Sequence, residues 1–429
     1  MAGGPCGDEV AAVVRREWSR VLATLVGDLG DLADAEDALA DAVEEAVRRW
    51  PIRGLPERPG AWLTTVARRR AIDRLRRSSA GRDKAELAGR MQARLAEVED
   101  PMDAVDPDAS LLRDEQLRLL FACCHPALTV EAQVALTLRC VAGLSTVEIS
   151  RAFVQPEATV AQRLVRAKRK IAAAAIPFRI PPDSVLLERC DQVRTIIYLV
   201  FNEGYEASGG GELVRTDLCA EAIRLAELVA ELLADDAESH GLVALLRLIH
   251  SRREARVDAV GDLVLLGDQD RSRWDGALIT AGQAALERAL RLDAPGPYQI
   301  QAAIQALHAE APSSEATDWR QIELLYRRLR RHLDTPVVEL NHAVAVALAG
   351  DRDAGLAMLD SPRLAERLGG YTFFHSARAR LLHEVDPAGA GAAYRAAIAV
   401  TSSEPELRFL RRQLARAERG EEPGGPPVG

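Results

Sequence analysis

Aromatic residues, cysteines and long apolar runs are all scarce in this chain of 429 residues. Phe, Trp and Tyr make up only 4% of it, although 48% of the residues are hydrophobic and Ala, Leu and Arg dominate. Because strands favour aromatic and β-branched residues, this mixture predicts helices. No run of about twenty apolar residues is present, and the first residues lack the basic-then-apolar order of an export signal. We therefore expect a cytoplasmic, all-α protein.

The six cysteines show neither the paired spacing of a zinc site nor the density of a disulfide framework. Cys123-Cys124-His125 is the one cluster that resembles metal ligands, but adjacent residues on a helix point in different directions. We interpret the cysteines as small buried side chains. A phosphate-binding glycine loop and a nucleophile motif are also missing. The sequence predicts no catalytic residue, no metal and no cofactor, so an enzyme is the least favoured class.

Charge is divided unevenly along the chain, whose formal net charge is −9. Residues 1–178 contain 26 basic and 26 acidic residues, whereas the remainder contains 29 and 38. The acidic excess therefore belongs to the C-terminal part, and the N-terminal part is free to carry basic surfaces.

Breaks in the helical periodicity predict several domains, as the length of the chain also does. Apolar residues recur at helical spacing up to about residue 77, which indicates a first domain over residues 1–80. Residues 81–110 are acidic and interrupted by proline, as in a flexible linker. A second helical domain is expected over residues 111–178. Three prolines in residues 176–182 then precede a helical extension over residues 183–429.

A repeat is visible near the end of this extension, most clearly over residues 336–400. An offset of 34 residues aligns 340–348 with 374–382 and matches Ala343 with Ala377, a period typical of tetratricopeptide repeats. Small residues at such positions let the two helices of a repeat approach closely. Asp351 or Asp386 would begin the partner helix as its N-cap.

A helix-turn-helix is predicted over residues 144–171. Ser145 and Glu148 form a capping box that begins the first helix, and Pro156 suits the first position of the second. The packed face of the second helix is predicted to contain Val160, Leu164, Ala167 and Ile171. Its adjoining cationic face suits base edges and phosphates, with an ordinary solvated basic face as the alternative. The candidate DNA-binding residues are Thr159, Gln162, Arg163, Arg166, Lys168, Arg169 and Lys170.

Two further segments carry charge of opposite sign. Residues 61–77 predict a basic helix whose arginines face largely outward, although Arg68 is also suited to pair with a carboxylate inside the domain. Its candidate DNA-binding residues are Arg68, Arg69, Arg70, Asp73, Arg74, Arg76 and Arg77. Residues 34–50 predict a helix with an exposed acidic face suited to a basic protein surface. The acidic residues of that face are Glu36, Asp37, Asp41 and Glu44.

In this order, these segments resemble regions two and four of the extracytoplasmic-function RNA polymerase sigma factors. The resemblance covers residues 10–175 and rests on three stretches: Asp34-Ala-Glu-Asp37 in a helix ending at Trp50, Ala61-Trp-Leu63 followed by Ala71-Ile-Asp-Arg-Leu-Arg-Arg77, and the helix-turn-helix. The continuation looks like the subgroup that has a tetratricopeptide-type extension.

The resemblance implies partners and roles for these residues. Glu36, Asp37 and Asp41 match the helix that binds the beta-prime coiled coil of core RNA polymerase. The residues within 68–77 match the helix that engages the minus-ten promoter element, and Thr159, Gln162, Arg163 and Arg166 match the helix that reads the minus-thirty-five element. Arg69 and Ala161 depart from the usual family residues, so promoter preference is not carried over.

Residues 194–205 resemble the start of the extension. A buried helix closed by Gly204 is the favoured interpretation, and a ligand site built from Asn202, Glu203 and Tyr205 is the alternative.

We expect the extension to regulate initiation, because stacked helical repeats present a surface suited to a protein or peptide partner. An acidic extension is also suited to cover basic recognition surfaces, and its removal would then strengthen promoter or polymerase binding. A stand-alone helix-turn-helix repressor or activator remains the alternative function, although most such proteins dimerise.

Overall fold

Helices form nearly all of the regular structure in a computed structural model of the chain. It describes residues 7–77, 88–89, 91–92, 109–153, 155–205, 216–258, 264–401 and 404–422. Over these ranges there are nineteen α-helices and no β-strand, which confirms the all-α prediction. Most of the predicted linker, residues 81–110, and Cys6 lie outside the described residues.

The chain divides into two compact units between residues 199 and 200. This division falls inside a helix that begins at Asp183, after the non-helical residues 174–182. The helices of the first unit are α1 (Gly7–Leu29), α2 (Leu32–Arg53), α3 (Pro59–Arg77), α4 (Ala109–Cys123), α5 (Val130–Leu136), α6 (Thr146–Ala152), α7 (Glu157–Ala173) and most of α8 (Asp183–Tyr205). A π-helical segment, Thr137–Val141, extends α5.

The first three helices pack together as a bundle. Gly30, with φ of +73°, makes the turn between α1 and α2, and the Asp31 side chain caps α2 by accepting hydrogen bonds from two backbone amides at 2.7 and 2.9 Å. Trp50 and Trp62 meet edge to face at 5.3 Å and join α2 to α3. The apolar face of α1 is buried, namely Val13, Val14, Trp18, Val21, Leu22, Leu25 and Val26.

Helices α4 to α7 follow in this unit, and α4 and the π-helical segment pack against α1. The Thr24 hydroxyl donates to Glu115 at 2.7 Å, and the Gln116 side chain donates to Ser19 at 2.8 Å. Both contacts join α1 to α4. The two regions that the sequence separates by a linker therefore lie against each other within the first unit.

The second unit contains a series of helices that pack mainly on their neighbours in sequence. They are α9 (Thr216–Leu232), α10 (Ala237–His250), α11 (Gly276–Arg291), α12 (Pro297–Glu310), α13 (Trp319–Leu329), α14 (Pro336–Leu348), α15 (Arg352–Leu359), α16 (Pro362–Leu368), α17 (Thr372–Leu382), α18 (Pro387–Val400) and α19 (Glu404–Arg419). Three short 3₁₀ turns lie between α10 and α11.

The predicted repeat corresponds to two helix pairs, α14 with α15 and α17 with α18. Ala343 and Ala377 are both fully buried at equivalent positions, as the offset of 34 residues requires. Asp351 and Asp386 cap the second helix of each pair, and their side chains accept from backbone amides at 3.0 and 2.9 Å. These two caps are 35 residues apart, so the second pair contains one extra residue before its cap.

None of the described helices has the length and apolar composition needed to span a membrane.

Candidate nucleic-acid and polymerase interface

The helix-turn-helix begins as its local sequence predicts. The Ser145 amide donates to the Glu148 carboxylate at 2.7 Å, and the Glu148 amide donates to the Ser145 hydroxyl at 3.2 Å. This reciprocal pair is the predicted capping box at the start of α6. Pro156 lies one position earlier than predicted, because its extended backbone (ψ 137°) makes it the cap that precedes α7.

Helix α7 has a buried face and an exposed polar face. The buried residues are Val160, Leu164, Ala167 and Ile171, as predicted. Among the candidate DNA-binding residues, those with exposed side chains are Thr159, Gln162, Arg166, Arg169 and Lys170. Arg163 and Lys168 are half-buried, and Lys168 contacts a carboxylate of α2. The exposed part of this face forms a polar and cationic strip along α7.

The basic residues of α3 are less exposed than the sequence predicts. Arg68 donates to the buried Asp28 carboxylate at 2.7 Å, so the internal pairing considered for it is present. Arg69 is half-buried. Asp73, Arg76 and Arg77 are exposed near the end of the helix. Arg76 donates to the Gln92 side chain at 3.4 Å, and Arg77 donates to the backbone carbonyl of Asp73 at 3.1 Å.

Two arginines of α3 pair with carboxylates of α2. Arg74 contacts Asp41 at 2.7 Å and Asp37 at 3.3 Å, and Arg70 donates to Glu45 at 3.2 Å. Each arginine side chain is 41% exposed and held in an ion pair, so these two residues face outward only in part, where the sequence predicted a largely outward orientation. The cause is the packing of α2 on α3, which brings the acidic and basic faces within ion-pair distance.

Glu36 is buried, which corrects the prediction that it belongs to an exposed acidic face. Its carboxylate accepts from Arg139 of the π-helical segment and from Lys168 of α7, the latter at 2.9 Å. Burial by itself raises the pKa of Glu36, but the two cations outweigh it and lower the pKa below its ordinary value. Glu36 is therefore ionised in a contact between α2 and the helix-turn-helix region.

An aromatic contact lies beside this ion pair. The Arg139 guanidinium lies 4.6 Å from the centre of the Trp18 ring. Gly143 has φ of +74°, and a Cβ there would lie 2.9 Å from Cβ of Trp18. Arg15 of α1 also pairs with Glu148 of the capping box. Close packing, stacking and ion pairs therefore combine to hold α1 and α2 against the helix-turn-helix region.

Sequence reasoning missed Arg139. It is a single charge within the apolar residues 134–142, and that isolation is the signal that could have identified it, since a cation in such a run needs a partner. The partner, Glu36, is 103 residues away. No local pattern identifies which carboxylate it would be.

A cavity of about 380 Å³ adjoins the same contact. The turn that begins α2 lines one side of it, and α7 lines the other, with Lys168 and Arg169 at its edge.

The cysteines within the described residues are buried, as predicted, and are free thiols. Burial raises the pKa of Cys124 to about 11 and that of Cys219 to about 12, so both remain protonated and unreactive near neutral pH. No group of three or more His, Cys, Asp or Glu residues in the described ranges is placed to hold a metal ion.

Three models of known protein families match separate parts of the chain. A model of sigma-70 region 2 matches residues 13–81, and a model of sigma-70 region 4 matches residues 118–171. A third model, described as a family of unknown function (DUF6596), matches residues 189–290. The first two cover the helices that carry every candidate DNA-binding and polymerase-binding residue. No solved structure matches the chain.

Curated relatives match either most of this chain or a smaller part of it. "Uncharacterized protein R00370" of Rhizobium meliloti strain 1021 is 46% identical over 385 residues, which are 89% of each chain. The "ECF RNA polymerase sigma factor SigK" of Mycobacterium sp. strain KMS is 30% identical over 161 residues, 37% of this chain and 78% of the relative. A protein of that name from Mycobacterium tuberculosis strain ATCC 25177 / H37Ra is 32% identical over 111 residues, 26% of this chain and 55% of the relative.

Region 2 therefore precedes region 4 on this chain, and at 30% identity the chain covers 78% of a SigK relative. The chain belongs to the extracytoplasmic-function RNA polymerase sigma factors.

Proposed function

We propose that the chain binds core RNA polymerase through α2 and directs initiation at promoters read by α3 and α7, and that its second unit regulates this event. The observation that carries the proposal is the exposed face of α7. Thr159, Gln162 and Arg166 project from a helix whose opposite face is packed, and the helix before it, α6, begins with a complete capping box. Side chains of these types read base edges in the major groove.

The minus-thirty-five element would meet α7 from Thr159 to Arg166, and the basic end of α7 would meet phosphates. Arg169 and Lys170 are exposed there. Phosphate contacts position a protein on DNA, whereas base contacts select the sequence. Lys168 would contribute less in this arrangement, because its ammonium group is bound to Glu36.

The minus-ten element would meet the end of α3. Asp73, Arg76 and Arg77 are exposed, and Arg70 and Arg74 would join them after exchanging α2 carboxylates for phosphates. Arg68 has a positioning role in this account, since its pair with Asp28 ties α3 to α1.

For polymerase, we infer that Asp37 and Asp41 make the first contact with the coiled coil of the beta-prime subunit. Asp37 is 68% exposed, whereas Glu36 is held by Arg139 and Lys168. Glu36 joins the docking surface only when that contact opens. The arrangement therefore represents a closed state, in which a docking residue on α2 is occupied by the chain's own helix-turn-helix region.

The charge and the architecture of the second unit support a regulatory role for it. The acidic excess lies after residue 178, and successive helix pairs suit a protein or peptide partner. We propose that this unit controls opening of the closed state, acting in the cytoplasm where core polymerase works.

The test is transcription with purified core polymerase, the full chain and a genomic DNA library, with the 5′ ends of the transcripts sequenced. A sigma factor produces discrete start sites that core polymerase alone does not. A stand-alone repressor or activator binds DNA without core polymerase and produces no new start sites. The second result would replace the proposed function with its alternative.

A further inference from the structure

Three arginines of the second unit converge around two aromatic rings. Arg252 and Arg256 follow α10, and each is less than one-tenth exposed. Arg271 lies in a 3₁₀ turn, with its guanidinium 4.6 Å from the centre of the Trp274 ring, and Arg252 lies 5.8 Å from the same centre. On the other side, the Arg256 guanidinium lies 4.0 Å from the centre of the Tyr205 ring, and Arg252 hydrogen-bonds Tyr205.

These positive charges oppose one another. Burial first, and then the neighbouring cations, lower the pKa of Arg252 and of Arg271. The same surroundings lower the pKa of His308 to about 3, so this imidazole is neutral near pH 7. A buried cation is strongly destabilising unless a negative charge accompanies it.

Within the described residues, no carboxylate lies within ion-pair distance of Arg252 or Arg271. Their neighbour Arg253, by contrast, pairs with Asp275 at 3.2 Å. Arg271 donates to two backbone carbonyls, those of His308 and Ala311, which carry no net charge. Arg252 and Arg271 are thus two cations with no carboxylate of the described residues in direct contact, and Glu315 acts on Arg271 only from beyond ion-pair distance.

Two buried hydrogen-bond donors in the cluster also lack an acceptor. They are Nε of Arg252 and the indole Nε1 of Trp274, and both residues are more than nine-tenths buried. Leaving such a donor unsatisfied is costly, and native proteins rarely do so. One acceptor with negative charge placed among these groups would serve both donors and both guanidinium groups.

We propose that this cluster, formed by Arg252, Arg271 and Trp274 with Arg256 and Tyr205 beside them, binds an oxyanion: the phosphate or carboxylate group of a small molecule. Guanidinium groups match the geometry of both, and they bind them through paired hydrogen bonds. The five residues all lie in the segment 189–290 matched by the family of unknown function. Of the ligand-site residues considered from the sequence, Tyr205 lies in this cluster, whereas Asn202 is exposed to solvent.

The experiment is thermal unfolding of the full chain during titration with sodium phosphate or sodium succinate, at an ionic strength held constant with sodium chloride. We expect a saturable rise in the unfolding temperature with at least one of the two anions, because a ligand that binds only the folded state stabilises it. The better anion identifies the source, phosphate or carboxylate. Isothermal calorimetry measures the same dissociation constant directly.

The variants are Arg252→Met and Arg271→Met, with Arg291→Met as the matched control. Arg291 belongs to the same unit, but its side chain is 69% exposed on α11. We expect each cluster variant to weaken anion binding on the order of 10- to 100-fold, as for loss of a charge-assisted contact. The control should bind as the wild type does.

A second readout separates a ligand site from a structural role. Without phosphate or succinate, Arg252→Met should unfold at the same temperature as the wild type or higher, because it removes a repelled charge. Two results would overturn the proposal. The first is that neither anion stabilises the wild type saturably, which would mean that the chain's own carboxylates neutralise these arginines. The second is that the wild type and both cluster variants bind the anion equally well. Arg271 is only half-buried, so Arg271→Met disturbs the fold less and keeps the test decisive if Arg252→Met does not fold.

Discussion

Arg139 binds Glu36 at the contact between α2 and the helix-turn-helix region, and replacing it with Gln removes its charge. We expect Arg139→Gln to lower the free energy of unfolding by about 2 kcal/mol. This is less than the ~3–5 kcal/mol for breaking a buried ion pair, because Lys168 remains bound to the carboxylate. Urea unfolding measures the change. Arg118→Gln, at an exposed arginine of α4, is the control and should change stability little.

The same variant separates the two proposed roles of Glu36. Arg139→Gln leaves Glu36 held by Lys168 alone, which loosens the closed contact and should strengthen binding to core polymerase. Glu36→Gln instead removes a docking charge and should weaken that binding. Fluorescence anisotropy of the labelled chain with core polymerase measures both affinities. A loss of affinity in both variants would mean that the closed contact supports polymerase binding and does not oppose it.

The acid sensitivity of the first unit should depend on Glu36. The pKa of Glu36 is lower in the folded state than its ordinary value. Ionised Glu36 therefore stabilises the fold at any pH above the ordinary pKa, and this contribution is lost as the pH falls through the lowered pKa. Glu36→Gln should therefore flatten the decline of the unfolding free energy on the acid side. Urea unfolding across this pH range measures the slope, and an unchanged slope would contradict the assignment.

Among the elements, α14 and α15 pack too closely to admit a side chain at Gly355. A Cβ there would lie 2.6 Å from Cβ of Ala347 and 2.7 Å from the carbonyl oxygen of Ala343. We expect Gly355→Ala to destabilise the second unit by about 1–3 kcal/mol through overpacking.

A matched substitution tests whether the cost comes from this contact. Gly276, at the start of α11, has no atom within 4 Å of an added Cβ, so Gly276→Ala should leave stability unchanged or raise it by up to about 1 kcal/mol. Thermal unfolding of both variants gives the comparison. Equal effects would show that backbone freedom, not helix contact, sets the cost.

Local features of these elements could be predicted from sequence, because their causes lie within one helical turn. The Ser145–Glu148 capping box, the buried face of α7 and the caps at Asp351 and Asp386 are examples. The exposure of the charged residues could not be predicted in the same way. Arg68 pairs with Asp28 across 40 residues, and such partners depend on how helices pack.

At the scale of the whole molecule, we propose that the second unit restrains the first, in view of the acidic excess after residue 178. The structure indicates where to cut: α8 belongs partly to the first unit, since Gln192 donates to Gln133 at 2.8 Å. We expect removal of residues 206–429 to strengthen binding to core polymerase, whereas a cut at residue 183 would also disturb the first unit. Anisotropy with core polymerase compares the two. Weaker binding after the cut at 206 would instead indicate an activating extension.

The most direct test of the central claim is run-off transcription from a promoter bound by this chain, with core polymerase and either wild type, Arg166→Ala or Arg179→Ala. Arg166 is exposed on α7, and Arg179 is an exposed arginine beyond that helix. We predict specific initiation with the wild type and Arg179→Ala, and a reduction of roughly 5- to 150-fold with Arg166→Ala, as for loss of about 1–3 kcal/mol of base contact. Equal transcription by all three proteins, or starts that core polymerase makes without any of them, would contradict the account.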